Sequence, residues 1–150
     1  MAYSGKFCPK NKEKYQGDWR KITWRSRWEH NLLKHLDTNP HVVKYGYENI
    51  IIPYRSKADK GKMRRYYMDF MVQYDNGLTC LIEVKPHIET ISPNVPKRLT
   101  EKAKMNYNKK AYTYQVNQDK WEAAAQYCAK KGWKFFILTE KNCNKIGVKF

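Results

Sequence analysis

The segment from Arg64 to Lys85 constrains the fold more than any other part of the chain. Two β-rich runs, Arg64–Tyr74 and Leu78–Lys85, flank the tripeptide Asp75-Asn76-Gly77, a pattern that predicts a β-hairpin. A two-residue Asn76-Gly77 loop would pair Asp75 with Leu78 and set Asp69 opposite Val84. A three-residue loop, with Gly77 left-handed, pairs Tyr74 with Leu78, sets Asp69 opposite Glu83, and brings Tyr67 to Lys85. This second register also pairs Met68 with Val84, Phe70 with Ile82 and Val72 with Cys80. It gives one uniformly apolar face, so it is the expected one.

Directly opposed Cβ atoms lie ~4.5–5.5 Å apart, so Asp69 and Glu83 repel unless something compensates. A divalent cation does so naturally. Mg²⁺ takes one or two carboxylates and keeps several waters, which leaves room for a phosphate oxygen. Lys85, one step along, can orient or deprotonate a water, or neutralise charge on a phosphate. The plainer alternative is a cross-strand salt bridge on a solvated face. Tyr67, Met71 and Leu81 weigh against it, because apolar surroundings make unpaired carboxylates costly. On the pattern alone both readings stand level.

Ahead of the hairpin, Ser26 can cap a helix running to about Leu36, with Glu29 completing a capping box. On a helical wheel Leu32, Leu33 and Leu36 fall within about 60° of Glu29, which places a carboxylate amid the apolar face. Both a capping role and a third cation-binding role are open to it.

The remaining organisation follows from punctuation and periodicity. Residues 1–23 read as a basic arm wrapped on a single domain spanning residues 1–150. Residues 41–54 predict one or two short strands broken at Gly46, and residues 55–65 a basic loop. Residues 86–116 begin with three prolines and continue as a Lys/Tyr-rich helix or irregular segment. Asn117 is expected to cap a strong helix with Trp121, Ala124, Ala125 and Cys128 on one face. Gly132 ends it, and Trp133–Leu138 reads as a buried strand. The order predicts an α/β sandwich around a mixed sheet.

Thirty Lys+Arg against fourteen Asp+Glu give a formal charge of +16, which favours a polyanionic partner, nucleic acid first. The expected DNA contacts are Arg25 and Arg27 at the helix start; Arg55, Lys57, Lys60, Lys62, Arg64 and Arg65 in the basic loop; and Lys97 and Arg98. Tyr66, Tyr107, Tyr112 and Tyr114, interleaved with the cations, suit base stacking. No apolar run approaches the ~20 residues of a membrane helix, and the first residues lack a signal peptide's apolar stretch. Cys8, Cys80, Cys128 and Cys143 have no zinc spacing and are expected as reduced thiols in a cytosolic compartment. His30 and His35 are poorly spaced for a shared metal site.

Asp69 in YYMDF and Glu83-Val84-Lys85 in LIEVK, preceded by Glu29 in WRSRWE, resemble the D…ExK signature of the PD-(D/E)xK nucleases. Met68 stands where that signature often has proline. The order of the motifs is similar to the TnsA-like branch. YSGKF-x-PKN-x-x-KYQGD, IIPYRS, MDF, IEVKP, NQ-x-KW-x-AA and GWKFFILTE extend the resemblance over nearly the whole chain, to the head-completion nucleases of T-even-type phages.

The resemblance implies a restriction-endonuclease-like αβββαβ core and Mg²⁺- or Mn²⁺-dependent DNA hydrolysis, endonucleolytic with exonucleolytic cutting left open. It implies Glu29, Asp69 and Glu83 as metal ligands and Lys85 as catalytic, with Gln115 or Gln118 near a further site position. Head, portal or neck proteins become expected partners, and assembling heads in the host cytoplasm the expected location. A DNA- or portal-binding protein without chemistry, and a junction-resolving or restriction-type nuclease, are the alternatives.

Overall fold

The computed structural model describes residues 4–150. Its elements in chain order are β1 (Gly5–Lys6), β2 (Thr23–Trp24), α1 (Arg27–Thr38), β3 (Val42–Ser56), β4 (Lys62–Tyr74), β5 (Thr79–Val84), α2 (Glu101–Lys131) and β6 (Lys134–Leu138). β1 and β2 form a small antiparallel ribbon, while β3-β4-β5-β6 form the main sheet in that order. The first three strands of this sheet are antiparallel, and β6 returns parallel to β5 after the α2 crossover. The architecture is a mixed α/β fold, as expected.

α1 forms because the Ser26 hydroxyl accepts from the Glu29 N–H at 3.1 Å and the leucines share one face. Leu32, Leu33 and Leu36 are fully buried with Tyr45, Phe70, Val72, Cys80 and Ile82 on one side of the sheet. α2 covers the other side, where Trp121, Ala124 and Cys128 pack with Ile52, Tyr54, Tyr66, Met68 and Leu81. Ala125, expected on this face, is exposed. The basic arm is tied down. Buried Asp37 accepts from the backbone N–H of Lys10 at 2.9 Å and from the Tyr45 hydroxyl at 2.9 Å. The arm's first three residues lie outside the described ones.

The hairpin adopts the three-residue register. The Tyr74 N–H donates to the Leu78 carbonyl at 2.8 Å, Gly77 has φ +88°, and Phe70, Val72 and Gln73 pair with Ile82, Cys80 and Thr79. The ladder stops at Phe70–Ile82, however, so Asp69–Glu83, Met68–Val84 and Tyr67–Lys85 are not strand pairs. The apolar face is not uniform either. Phe70 and Val72 belong to the α1 core, whereas Met68 and Tyr66 belong to the α2 core. The alternation of β4 therefore changes phase at Asp69.

The cause lies on the neighbouring strand. Residues 42–56 make a single strand, but its register against β4 shifts between Tyr47 and Ile50, where Glu48 takes φ +52°. The extra residue is a bulge, which adds local twist. Gly46 stays in the ladder, paired with Met71, instead of breaking the strand. It is glycine because any Cβ there would collide with the Asn49 side chain turned under the bulge.

Three further expectations are corrected. The basic stretch 55–65 is mostly strand, its turn confined to residues 57–61 with Lys60 and Gly61 both left-handed. Asn117 does not cap a helix. α2 begins after Thr100, whose side chain accepts from Ala103 N–H at 3.1 Å, and runs for 31 residues with Asn117 buried inside it. Lacking a continuous apolar stripe, residues 101–116 gave no periodic signal from which to extend the helix backwards. Finally, β6 is an edge strand and not a buried one, with Phe136 44% exposed. Gly132 does terminate α2, at φ +72°.

Candidate active site

Where β4 and β5 part, a cleft of about 490 Å³ opens against the start of α1. Glu29, Glu48, Asp69, Glu83 and Lys85 line it, with Arg25 and Arg27 at its rim. Each carboxylate is held by a neighbour. The Val84 N–H donates to Asp69 Oδ2 at 2.9 Å, the Tyr47 hydroxyl to Glu29 Oε2 at 2.9 Å, and the Tyr66 hydroxyl to Glu83 Oε2. Lys85 Nζ stands 3.8 Å from Glu83 Oε1, and the Arg25 guanidinium meets Glu48 at 3.0 Å.

Glu29 also accepts from the Arg25 N–H at 3.2 Å. The capping box is thus half formed. Ser26 caps the helix, while the glutamate reaches past the cap residue to Arg25, with its second oxygen on Tyr47. Structural and site-facing roles coexist in one side chain.

Concentrating negative charge away from water has an electrostatic consequence. Burial first, and then the charges of Glu83 and Glu29, raise the Asp69 carboxyl well above the ordinary range, against the opposing Val84 N–H and Lys85. Burial also raises Glu83, while the Tyr66 hydroxyl, Lys85 and Lys120 act the other way. Glu48 is raised by burial and Glu29, against Arg25. The Tyr66 and Tyr47 hydroxyls are raised by burial and by their carboxylate partners, so they remain protonated donors.

Asp69, Glu83, Lys85 and Glu29 therefore all come to one cleft. Among the described residues, no three Asp, Glu, His or Cys side chains converge as a ready-made cation cage. The donor set still suits a hard divalent ion, because half-buried Asp69 and buried Glu83, mutually repelling carboxylates, supply the oxygen ligands such an ion takes.

The expected DNA contacts divide. Arg25 and Arg27 sit at the cleft. Arg55, Lys57, Lys60, Lys62, Arg64 and Arg65 lie exposed where the β3–β4 hairpin outruns β5; Lys57 pairs with Glu122 and Arg64 with Asp59. Lys97 and Arg98 are exposed on the segment ahead of α2. Neither Gln115 nor Gln118 lines the cleft, and Gln115 is bonded to Asp119 at 2.9 Å. Lys120 on the same helix is the nearer group, felt at Glu83 and 5.4 Å from the Tyr66 ring.

Sequence reasoning missed Tyr47, Glu48 and Lys120, and it gave Tyr66 a base-stacking role that its burial at 3% exposure and its bond to Glu83 rule out. Strict alternation puts Tyr66 on the face away from Asp69, and only the phase change at the bulge brings it to Glu83. Lys120 carried a signal: it lies one residue before Trp121, at the start of the recognised apolar stripe.

A four-stranded mixed sheet between two helices, with an acidic cleft where its central hairpin splays, is the architecture of a restriction-endonuclease-like nuclease domain. A family model described as TnsA-like endonuclease N terminal matches residues 39–140, a stretch that holds Asp69, Glu83 and Lys85. The head completion nuclease of Enterobacteria phage T4 is 46% identical over 149 residues, covering 99% of each chain. The chain belongs to the TnsA-like endonuclease family, and that membership assigns it a nuclease role.

Proposed function

We propose that the chain is a divalent-metal-dependent deoxyribonuclease that cuts packaged phage DNA as a filled head is completed and readied for its tail. One nuclease domain would carry this activity, beside head, portal or neck proteins in the host cytoplasm. The observation that carries the chemistry is the pairing of Asp69 and Glu83 in one cleft with Lys85 3.8 Å from Glu83. The biological setting is drawn from the phage T4 relative and its name.

Asp69 and Glu83 would hold the ion, and Glu29 would add negative potential from α1. When bound, a divalent cation supplies phosphoryl polarisation and a water of lowered pKa. The chain's residues do the rest. The Val84 N–H and the Tyr66 hydroxyl fix one oxygen each of Asp69 and Glu83, leaving the others toward the cleft. Lys85 orients or deprotonates the attacking water and neutralises charge that builds on the phosphate oxygens. Arg25, Arg27 and the exposed cations of the β3–β4 hairpin and of Lys97-Arg98 hold the DNA backbone.

The direct test incubates linear and closed-circular DNA with Mg²⁺, wild type beside Asp69→Ala. Wild-type cutting of both substrates and none by the variant is expected. A wild-type protein that binds DNA but leaves it uncut whatever divalent ion is supplied would establish the non-enzymatic alternative.

A further inference from the structure

The chain holds a second, larger cavity, of about 910 Å³, between the segment 88–96 and residues 103–117 of α2. Its walls are unlike those of the acidic cleft. Ile88, Ile91, Tyr107, Tyr112 and Tyr114 give it an apolar and aromatic lining, and Lys109 and Lys110 stand at its edge. At one end is Asn117, 4% exposed, whose Nδ2 has no hydrogen-bond partner among the described residues. A buried amide that leaves its donor unmet costs free energy, which an acceptor entering the cavity, a water or a ligand atom, would relieve.

Two features connect this cavity to the cleft. Glu89 lines both. Asn117 lies three residues before Lys120, about 4.5 Å along the helix axis, and the Lys120 charge acts on Glu83. Through the shared Glu89 the cavity is the immediate neighbour of the cleft that would hold the scissile phosphate.

We propose that this cavity receives an unpaired nucleobase of the DNA strand being cut. The proposal rests on the nuclease reading and adds to it a preference for DNA with an unpaired nucleotide beside the scissile phosphate, as at a frayed end, a gap or a branch. Every base presents a π face to a tyrosine and an edge acceptor to an amide N–H, so the site tolerates sequence. Its volume lies within the range of pockets that enclose small organic groups, with room for a base and its sugar. The lysines at the mouth meet the flanking phosphates. The cavity's lone carboxylate, Glu89, is shared with the cleft, and a basic rim favours a phosphate-bearing occupant over a segment of basic protein.

The test uses full-length protein in EDTA, which prevents cutting. It compares a duplex carrying one unpaired nucleotide with the same duplex carrying an abasic residue there, by fluorescence anisotropy. The wild type is expected to prefer the base on the order of tenfold, the scale of one aromatic stack. Asn117→Ala and Tyr107→Ala should bring the preference close to unity, and Tyr107→Phe should retain it. Tyr107 lies in the part of α2 that has no buried residue, so its variants leave the core intact if Asn117→Ala fails to fold. Equal wild-type affinity for the two duplexes overturns the proposal, as does a preference unchanged in Tyr107→Ala. Cleavage of both duplexes, the one with the unpaired nucleotide and the one with the abasic residue, is scored in parallel in Mg²⁺. Its absence counts against the nuclease reading alone, and cleavage without base preference counts against the cavity alone.

Discussion

The Asp69 carboxylate accepts from the Val84 backbone N–H at 2.9 Å, just beyond the last β4–β5 pair, Phe70–Ile82. A side chain thus satisfies a donor that the diverging β4 backbone no longer meets, and the same bond aims the carboxylate across the opening. Asp69→Asn keeps an acceptor for Val84 but removes the charge. We expect it to fold normally and lose about a hundred- to a thousandfold in cleavage rate, the scale of removing one strong electrostatic group. Asp69→Ala should lose cleavage and, measured against Asp69→Asn, also stability, about 1–3 kcal/mol for the orphaned N–H, read from urea midpoints.

The raised Asp69 and Glu83 carboxyls give the metal-free protein a pH-dependent weakness. With folded-state values above the unfolded ones, the native state binds more protons, so stability falls as pH rises from about 4 through the folded values. Without divalent ions, Asp69→Asn should melt above wild type at pH 7.5, by about 2–4 °C per kcal/mol of relieved repulsion. The gap should close near pH 4. Calorimetry across that range decides it, and a gap that widens toward acid would refute the argument.

Added Mg²⁺ should raise the melting temperature of the wild type, continuing with the logarithm of its concentration once the site is filled, because an ion that binds only the native cleft stabilises it. Asp69→Asn and Glu83→Gln should show little of this rise. An equal rise in all three proteins would place the ion elsewhere.

Tyr66 supports Glu83 from the neighbouring strand. Tyr66→Phe keeps the buried ring and removes the donor, so fold and DNA affinity should persist. Mg²⁺ affinity or cleavage should fall about 10–100-fold, the usual cost of losing a group that orients a ligand. Lys85→Met should lower kcat by at least a hundredfold with little change in DNA affinity. A proportionate loss of binding would instead make Lys85 a phosphate anchor.

The register of the central hairpin was legible because Gly77 and the apolar set Phe70, Val72, Cys80 and Ile82 agree on it. Asp69, Glu83 and Lys85 could be listed from the same reasoning and Glu29 from its place on the apolar face of its helix, and the structure brings all four to one cleft. Tyr66 was hidden because a bulge in another strand moved it, and alternation within β4 carries no record of β3. Asn117 misled because a polar residue ahead of an apolar stripe resembles a cap; here it is buried mid-helix against a cavity. α2 ran further than its periodicity because Thr100 starts it without an apolar face to follow.

That extension divides α2 into unequal halves. Its buried residues begin at Asn117, and the turns from Glu101 to Val116 have none. An isolated helix of that length is marginal in water, so the first half depends on its cap and on continuity with the anchored second half. Amide hydrogen exchange should therefore run as a gradient, quick near Ala103 and approaching the rate of global unfolding near Ala124. The helix is anchored at one end only, and its free half can fray and re-form without disturbing the sheet that holds the carboxylates.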